Sequence, residues 1–202
     1  MDKRLKVIKV LIKKEKKCRT MLWMGAKPQG TWGHQGMGLA PTTIQRIRQR
    51  MAVNGLIHKP GGCTTTGYAV ITGTSKDPGI SLVIETMITW LKTLRESSIP
   101  EAAIQRAWGK ARDELQAAKS RWAKVKGPMS AAIATLLDRG WTPHQPTEWE
   151  DREGGRWTKV FDHYFYHQVL VAWGGPVLGF SRCGVGLSFF REKGCSSCRL
   201  VQ

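Results

Sequence analysis

Between Ile104 and Val125 the apolar residues Ile104, Trp108, Ala111, Leu115, Ala118, Trp122 and Val125 recur at alternating steps of four and three. That spacing returns the side chains to one narrow stripe of an α-helix, and a stripe bearing two tryptophans demands cover along its length. Such a seam suits packing along another helix, whether within this chain or in a partner. The remaining faces carry Arg106, Lys110, Arg112, Lys119, Arg121, Lys124 and Lys126 against Glu101, Asp113 and Glu114. Pro100 and Glu101 suit a first turn, Ser98 suits a cap, and Gly127 ends the helix.

Two neighbouring segments also read as helices. After the turn Asp77-Pro78-Gly79, the residues Ile80, Ile84, Met87, Leu91 and Leu94 form a stripe that Val83, Ile88 and Trp90 widen. This helix should stop near Ser97 or Ser98, because Pro100 follows. Pro128 opens a third helix with Met129, Ala132, Ile133, Leu136 and Leu137 on one face, and Gly140 supplies a left-handed stop. Trp141-Thr142-Pro143 reads as a rigid connector. Glu148-Trp149-Glu150 and Arg156-Trp157-Thr158-Lys159-Val160 read as two short strands around Gly154-Gly155, with Trp149 and Trp157 on one face.

The expected fold is therefore mainly α with a small β-hairpin: a three-helix core, a largely irregular basic N-terminal region and an irregular C-terminal tail. Residues 1–76 form a basic, glycine-rich, poorly ordered region, residues 77–173 the helical core with its hairpin, and residues 174–202 a tail containing glycine and cysteine. Residues 21–79 are punctuated by glycine and by Pro28, Pro41 and Pro60, which favours turns. Within that stretch Thr42 to Val53 reads as a short helix and Tyr68-Ala69-Val70-Ile71-Thr72 as a strand.

Charge narrows the function more than the fold. The chain of 202 residues has 32 Lys and Arg against 15 Asp and Glu, a formal net charge of +17. A small domain ordinarily carries about 2 to 8, and a field this strong draws in polyanions. Residues 1 to 20 hold Lys3, Arg4, Lys6, Lys9, Lys13, Lys14, Lys16, Lys17 and Arg19, opposed only by Asp2 and Glu15. Leu5, Ile8 and Leu11 or Ile12 trace one face of a short helix there, so the segment reads either as an arm that folds against phosphate or as a solvated terminus. Arg46, Arg48 and Arg50 form a second basic patch. No apolar run reaches the roughly 18 residues that cross a bilayer, and the lysine-interrupted start does not read as a signal peptide. The chain thus reads as intracellular, with the nucleus compatible with its charge.

From Asp77 to Lys159 the order of features is distinctive. Asp77-Pro78-Gly79 opens a Trp-bearing helix, and Trp122 precedes Lys126-Gly127-Pro128-Met129. Ala134-Thr135-Leu136-Leu137-Asp138, Gly140-Trp141, Pro143, Pro146, Trp149 and Trp157 follow. This order resembles the segment after the reverse-transcriptase region in reading frames of non-long-terminal-repeat retroelements of the kind found in dinoflagellates. The resemblance implies a connecting helical piece of a polyprotein that handles its own RNA and DNA, and the chain is compatible with a fragment of one. Polymerase chemistry does not carry over, since it needs paired aspartates holding divalent metal, and this sequence has no adjacent aspartates.

Other sites are weaker. Cys195 and Cys198 have the Cys-x-x-Cys spacing, and His163 and His167 fall four apart, so these four are an alternative zinc set; terminal thiols are the simpler reading. Asp138, Glu148, Glu150, Asp151, Glu153 and Asp162 raise the thought of a metal-dependent nuclease remnant, but they cluster around one hairpin and read as a solvated turn. Gly30, Gly33, Gly36 and Gly38 lack the preceding strand and the Gly-Lys-Ser/Thr of a phosphate loop. Trp23 and Trp32, in the basic glycine-rich part, could stack on bases if exposed. No catalytic residues and no cofactor are assigned. The reading is a non-catalytic basic module contacting the nucleic-acid backbone without sequence preference. A helical protein-interaction or purely structural segment is its alternative, and the nuclease remnant the second.

Overall fold

The computed structural model describes residues 1–57 and 62–158. The helices, in chain order, are α1 (Asp2–Lys14), α2 (Lys27–Gly30), α3 (His34–Met37), α4 (Pro41–Asn54), α5 (Thr64–Ile71), α6 (Pro78–Glu96), α7 (Glu101–Ala117) and α8 (Pro128–Asp138). Three short strands follow: β1 (Thr142–Gln145), β2 (Glu148–Glu150) and β3 (Arg156–Thr158), antiparallel in the order β1-β2-β3.

Two apolar cores share α6 as a wall. One gathers Ile84, Met87, Trp90 and Leu91 of α6 with Trp108 and Leu115 of α7, Val125, the buried alanines and Ile133 of α8, and Trp149 of β2. The other gathers Leu5, Ile8 and Ile12 of α1 with Leu22, Ala26, Ile47, Met51, Ile57 and Tyr68, and Leu82 reaches it from α6. The long central helix is therefore apolar around much of its girth, which is why its stripe is broad.

The three-helix core with an irregular N-terminal region is not the fold that forms. Among the described residues eight helices build the body of the protein, and the N-terminal segment is itself the helix α1. The physical reason is a second core. Leu5, Ile8 and Ile12 are each almost fully buried, and burial of one such aliphatic side chain stabilises by about 1.5–3 kcal/mol. The glycines do not oppose this, because Gly33, Gly38, Gly55 and Gly73 fall between helices or at their ends. Tyr68 to Thr72 is likewise not a strand. An isolated strand would leave its N–H and C=O groups unpaired, whereas α5 pairs them internally and buries Tyr68, whose hydroxyl donates to the Arg48 carbonyl at 3.1 Å.

The seam helix also departs from its pattern. α7 ends at Ala117, Ala118 is extended, and a 3₁₀ turn occupies Arg121–Lys124. The bend keeps Leu115 and Val125 in the same core while turning Arg121 and Trp122 onto Asp138. The seam is thus covered within this chain. α8 ends as its sequence requires. Gly140 has φ +70°, and the Gly140 and Trp141 N–H groups donate back to Leu137 and Leu136, closing the last turn with a left-handed residue.

The connector at Thr142 is strand β1. Pro143 is tolerated because β1 lies at the edge of the sheet. Its carbonyl accepts from Trp108 Nε1 at 3.1 Å, and the Pro146 carbonyl accepts from Trp90 Nε1 at 3.1 Å. The two indoles stack at 5.3 Å. Each tryptophan therefore buries its ring, satisfies its N–H and fastens the sheet to the helices in one arrangement. Trp149 and Trp157 pair directly across β2 and β3, placing both on one face as expected. Residues 174–202, Lys159-Val160, and His163, His167, Cys195 and Cys198 lie outside the described residues.

Candidate nucleic-acid interface and an arginine-rich cleft

Docking of Leu5, Ile8 and Ile12 fixes which way the rest of α1 points. At about 100° per residue, Lys3, Lys6, Lys13 and Lys14 fall on the opposite side, and all four are exposed. Val7 and Val10 lie between them, 59% and 57% exposed. Lys16 and Lys17 continue the exposed set in the 3₁₀ turn that follows. Arg4 is exposed with Nη1 donating to the Gly25 carbonyl at 3.1 Å. Lys9 is half-buried on the flank, and Arg19 is half-buried with Nε donating to the Gly55 carbonyl at 2.9 Å. The helix is thus a docked platform of ammonium groups, not an arm.

The second patch divides. Arg46 and Arg50 are exposed on α4, which packs against α1, and Arg50 meets Asp2 at 3.2 Å. Arg48 points the other way. Its Nη2 and Nε bind the buried Asp77 carboxylate at 2.6 and 2.7 Å, and Nη2 also donates to Thr65.

Trp32 is 94% exposed, and Met24 is 77% exposed in the same segment. Water contact over a whole indole is unusual for a residue this apolar. Gly30, two residues earlier, packs so closely on the Met1 thioether that a Cβ there would collide with it. The backbone at Gly30 thus lies against the side chain of Met1, which precedes α1. Trp23 is different: it packs on the N-terminal core, and its Nε1 donates to the Lys76 carbonyl at 2.9 Å.

The 27–34 segment is tied to α6 by a partly buried polar cluster. Lys27 binds Glu85 and Ser81, and His34 Nε2 lies 2.7 Å from Glu85. His34 Nδ1 lies 2.6 Å from the Thr31 carbonyl, so both ring nitrogens face oxygens. Burial pushes the Glu85 carboxyl up, but hydrogen bonds from His34 and Lys27 outweigh it and hold Glu85 below the usual carboxylate range.

A cleft of about 440 Å³ opens where the two cores meet, between α4, the first turn of α6, the end of α8 and the turn at Arg152. Arg48, Arg139 and Arg152 line it with Asp77 and Asp138; Ile80, Val83 and Trp122 form apolar walls. Asp138 is held by Arg121 on Oδ1 and by Trp122 Nε1 on Oδ2 at 2.6 Å. Arg139 donates to the Gly79 carbonyl at 3.1 Å, and Arg152 donates to the Arg139 carbonyl at 2.6 Å. Gly38, with φ +64°, allows the Trp122 ring to lie against the backbone, where a Cβ would come within 2.8 Å of it.

Among the described residues the hairpin carboxylates do not converge, and Asp162 lies outside the described residues. Asp151 accepts from the Glu153 and Gly155 N–H groups and from Trp157 Nε1, Glu150 pairs with His144, and Glu148 lies 3.9 Å from Arg156. Among the described residues no three His, Cys, Asp or Glu side chains assemble into a metal-binding group, and no helix is long and apolar enough to cross a membrane. Comparison with protein-family models, curated proteins and solved structures finds no match.

Proposed function

We propose that this protein is a non-catalytic nucleic-acid-binding module that holds the backbone of a single strand across the outward face of α1, with an unpaired base stacked on Trp32. The observation that carries this reading is the docked row of exposed lysines on α1, to which an almost fully exposed indole at Trp32 adds a stacking surface. Ammonium groups act as point charges on phosphate and read no bases. A tryptophan face accepts any base that is out of the duplex. The net charge of +17 supports the same reading, as does the resemblance of residues 77–159 to a segment of retroelement reading frames that handle RNA and DNA. Arg46 and Arg50 extend the basic surface on α4; Arg48 does not belong to it.

The test is a binding comparison at one fixed salt concentration near physiological ionic strength. Single strands of several sequences should bind with similar affinity, and each should bind more tightly than its duplex. Lys3→Glu combined with Lys6→Glu should weaken all of them together. Strong dependence on base sequence, or binding that survives the charge reversal, contradicts the proposal.

A further inference from the structure

An indole as exposed as that of Trp32 does little to hold its own place, so its position is set by the backbone on either side. Thr31 to His34 form a turn, closed by the His34 N–H donating to the Thr31 carbonyl at 3.0 Å. Trp32 occupies the corner. Gly33 has φ +76° and ψ −2°, the conformation a type II turn requires at its third residue. Both ends of this turn meet one carboxylate. At the near end the Lys27 carbonyl accepts from the Thr31 N–H at 3.0 Å and from its hydroxyl at 2.9 Å, and the Lys27 ammonium binds Glu85 Oε1. At the far end His34 Nε2 lies 2.7 Å from Glu85 Oε2, while Nδ1 faces the Thr31 carbonyl. Thr31 and His34 are buried, and the indole between them is not. Glu85 belongs to α6, the helix shared by both cores, which fixes the turn to the body of the protein.

We propose that Glu85 is a positioning residue for strand binding: by bracketing the turn through Lys27 and His34, it holds Trp32 in the shape that accepts a base. The inference rests on the stacking role proposed for Trp32. Its physical basis is preorganisation. A free turn samples many shapes, and affinity falls in proportion to how seldom the competent one is populated. A carboxylate has no attraction of its own for phosphate, so any strand affinity that Glu85 adds has to come through the turn.

The test measures backbone amide exchange without nucleic acid, then single-strand and duplex affinity, on the full chain and its variants. Glu85→Ala should speed exchange of the Thr31 and His34 N–H groups. Its single-strand affinity should fall about threefold or more, the loss expected when the competent turn is populated about a third of the time. Duplex affinity should not fall, and adding Glu85→Ala to Trp32→Ala should cause no further loss. Removal of a negative charge acting by itself would instead tighten strand and duplex alike. Glu85→Gln keeps one acceptor oxygen and should fall between; it tests the same contacts should the alanine variant fail to fold. Gly33 tests the turn independently. A Cβ there meets open space, so Gly33→Val acts on the left-handed backbone alone and should reproduce the loss, whereas Gly33→Asn, which tolerates that conformation, should not. Unchanged exchange at His34 in the Glu85 variants overturns the positioning role. So does a loss of single-strand affinity in Trp32→Ala with none in the Glu85 variants and Gly33→Val, and that result leaves stacking intact. No loss in Trp32→Ala overturns the stacking reading, and the positioning role with it.

Discussion

Arg48 and Asp77 form a two-nitrogen ion pair, Nη2 to Oδ2 at 2.6 Å and Nε to Oδ1 at 2.7 Å, with Asp77 almost wholly buried. The same carboxylate caps α6 by accepting the Gly79 N–H at 2.8 Å, so one side chain joins α4 to the helix shared by both cores. Asp77→Ala leaves a partly buried guanidinium without its carboxylate and removes the cap. Its expected cost is about 3–5 kcal/mol for the pair and about 1 kcal/mol for the cap. Asp77→Asn retains an acceptor for Gly79 and should cost less. Urea denaturation of the three proteins measures this; equal midpoints would show that the pair contributes nothing.

Acid should loosen the attachment of residues 27–34 to α6. The Glu85 carboxyl is pushed up by burial and pulled further down by His34 and Lys27, so its folded value lies below its ordinary one. A carboxyl depressed in the folded state adds stability above its unfolded value, about pH 4.3, and that stability is lost as pH falls through the folded value. The denaturation midpoint should therefore drop across this range, and Glu85→Gln should flatten the drop. An identical pH profile in the variant contradicts the assignment.

The parts of the fold that were legible from sequence are those with a local cause. α6 stops before Ser97, Gly140 closes α8, and Trp149 faces Trp157, each from a periodicity or a turn residue a few positions away. The second core was not legible, although Leu5, Ile8 and Ile12 spelled out a helix face. Nothing nearby in sequence shows that Ile47, Met51 and Tyr68 come to meet it. The site divides in the same manner. Exposure of Lys3, Lys6 and Lys13 follows from where the leucine and isoleucines point, whereas the inward turn of Arg48 depends on an aspartate 29 residues away. The cleft required α4, α6 and α8 together, and no single segment carries its signal.

Trp32 should matter to binding and not to folding. At 94% exposure its ring supports no packing, so Trp32→Ala should leave stability within about 0.5 kcal/mol. Loss of one stacked base should cost about 1–3 kcal/mol of single-strand affinity, roughly fivefold to over a hundredfold. Duplex affinity should not change. A large fall in melting temperature, or unchanged single-strand binding, contradicts the stacking role.

Cys63 should be a reactive thiol. Hydrogen bonds from Thr66 and Thr65, the Thr66 backbone foremost, lower it to about 7, and the side chain is exposed. Iodoacetamide labelling followed by peptide mapping should show a rate that rises with a midpoint about pH 7, since the thiolate is the nucleophile. The half-buried Cys18 should label more slowly. A midpoint near that of an ordinary thiol would remove the hydrogen-bond effect.

The α1 face as a phosphate-binding surface is tested most directly by the salt dependence of single-strand affinity. Deleting residues 1 to 20 would be uninformative, because it removes Leu5, Ile8 and Ile12 from a core. The informative variant combines Lys3→Gln, Lys6→Gln and Lys13→Gln, three exposed positions opposite the buried face. If six phosphates are engaged, the log–log slope for the unaltered protein is about −4. Each lost contact should reduce its magnitude by about 0.7, or about 2 for all three, with the melting temperature unchanged. A slope near −2 in the folded variant is the predicted result; the same slope in both proteins would contradict the proposed interface.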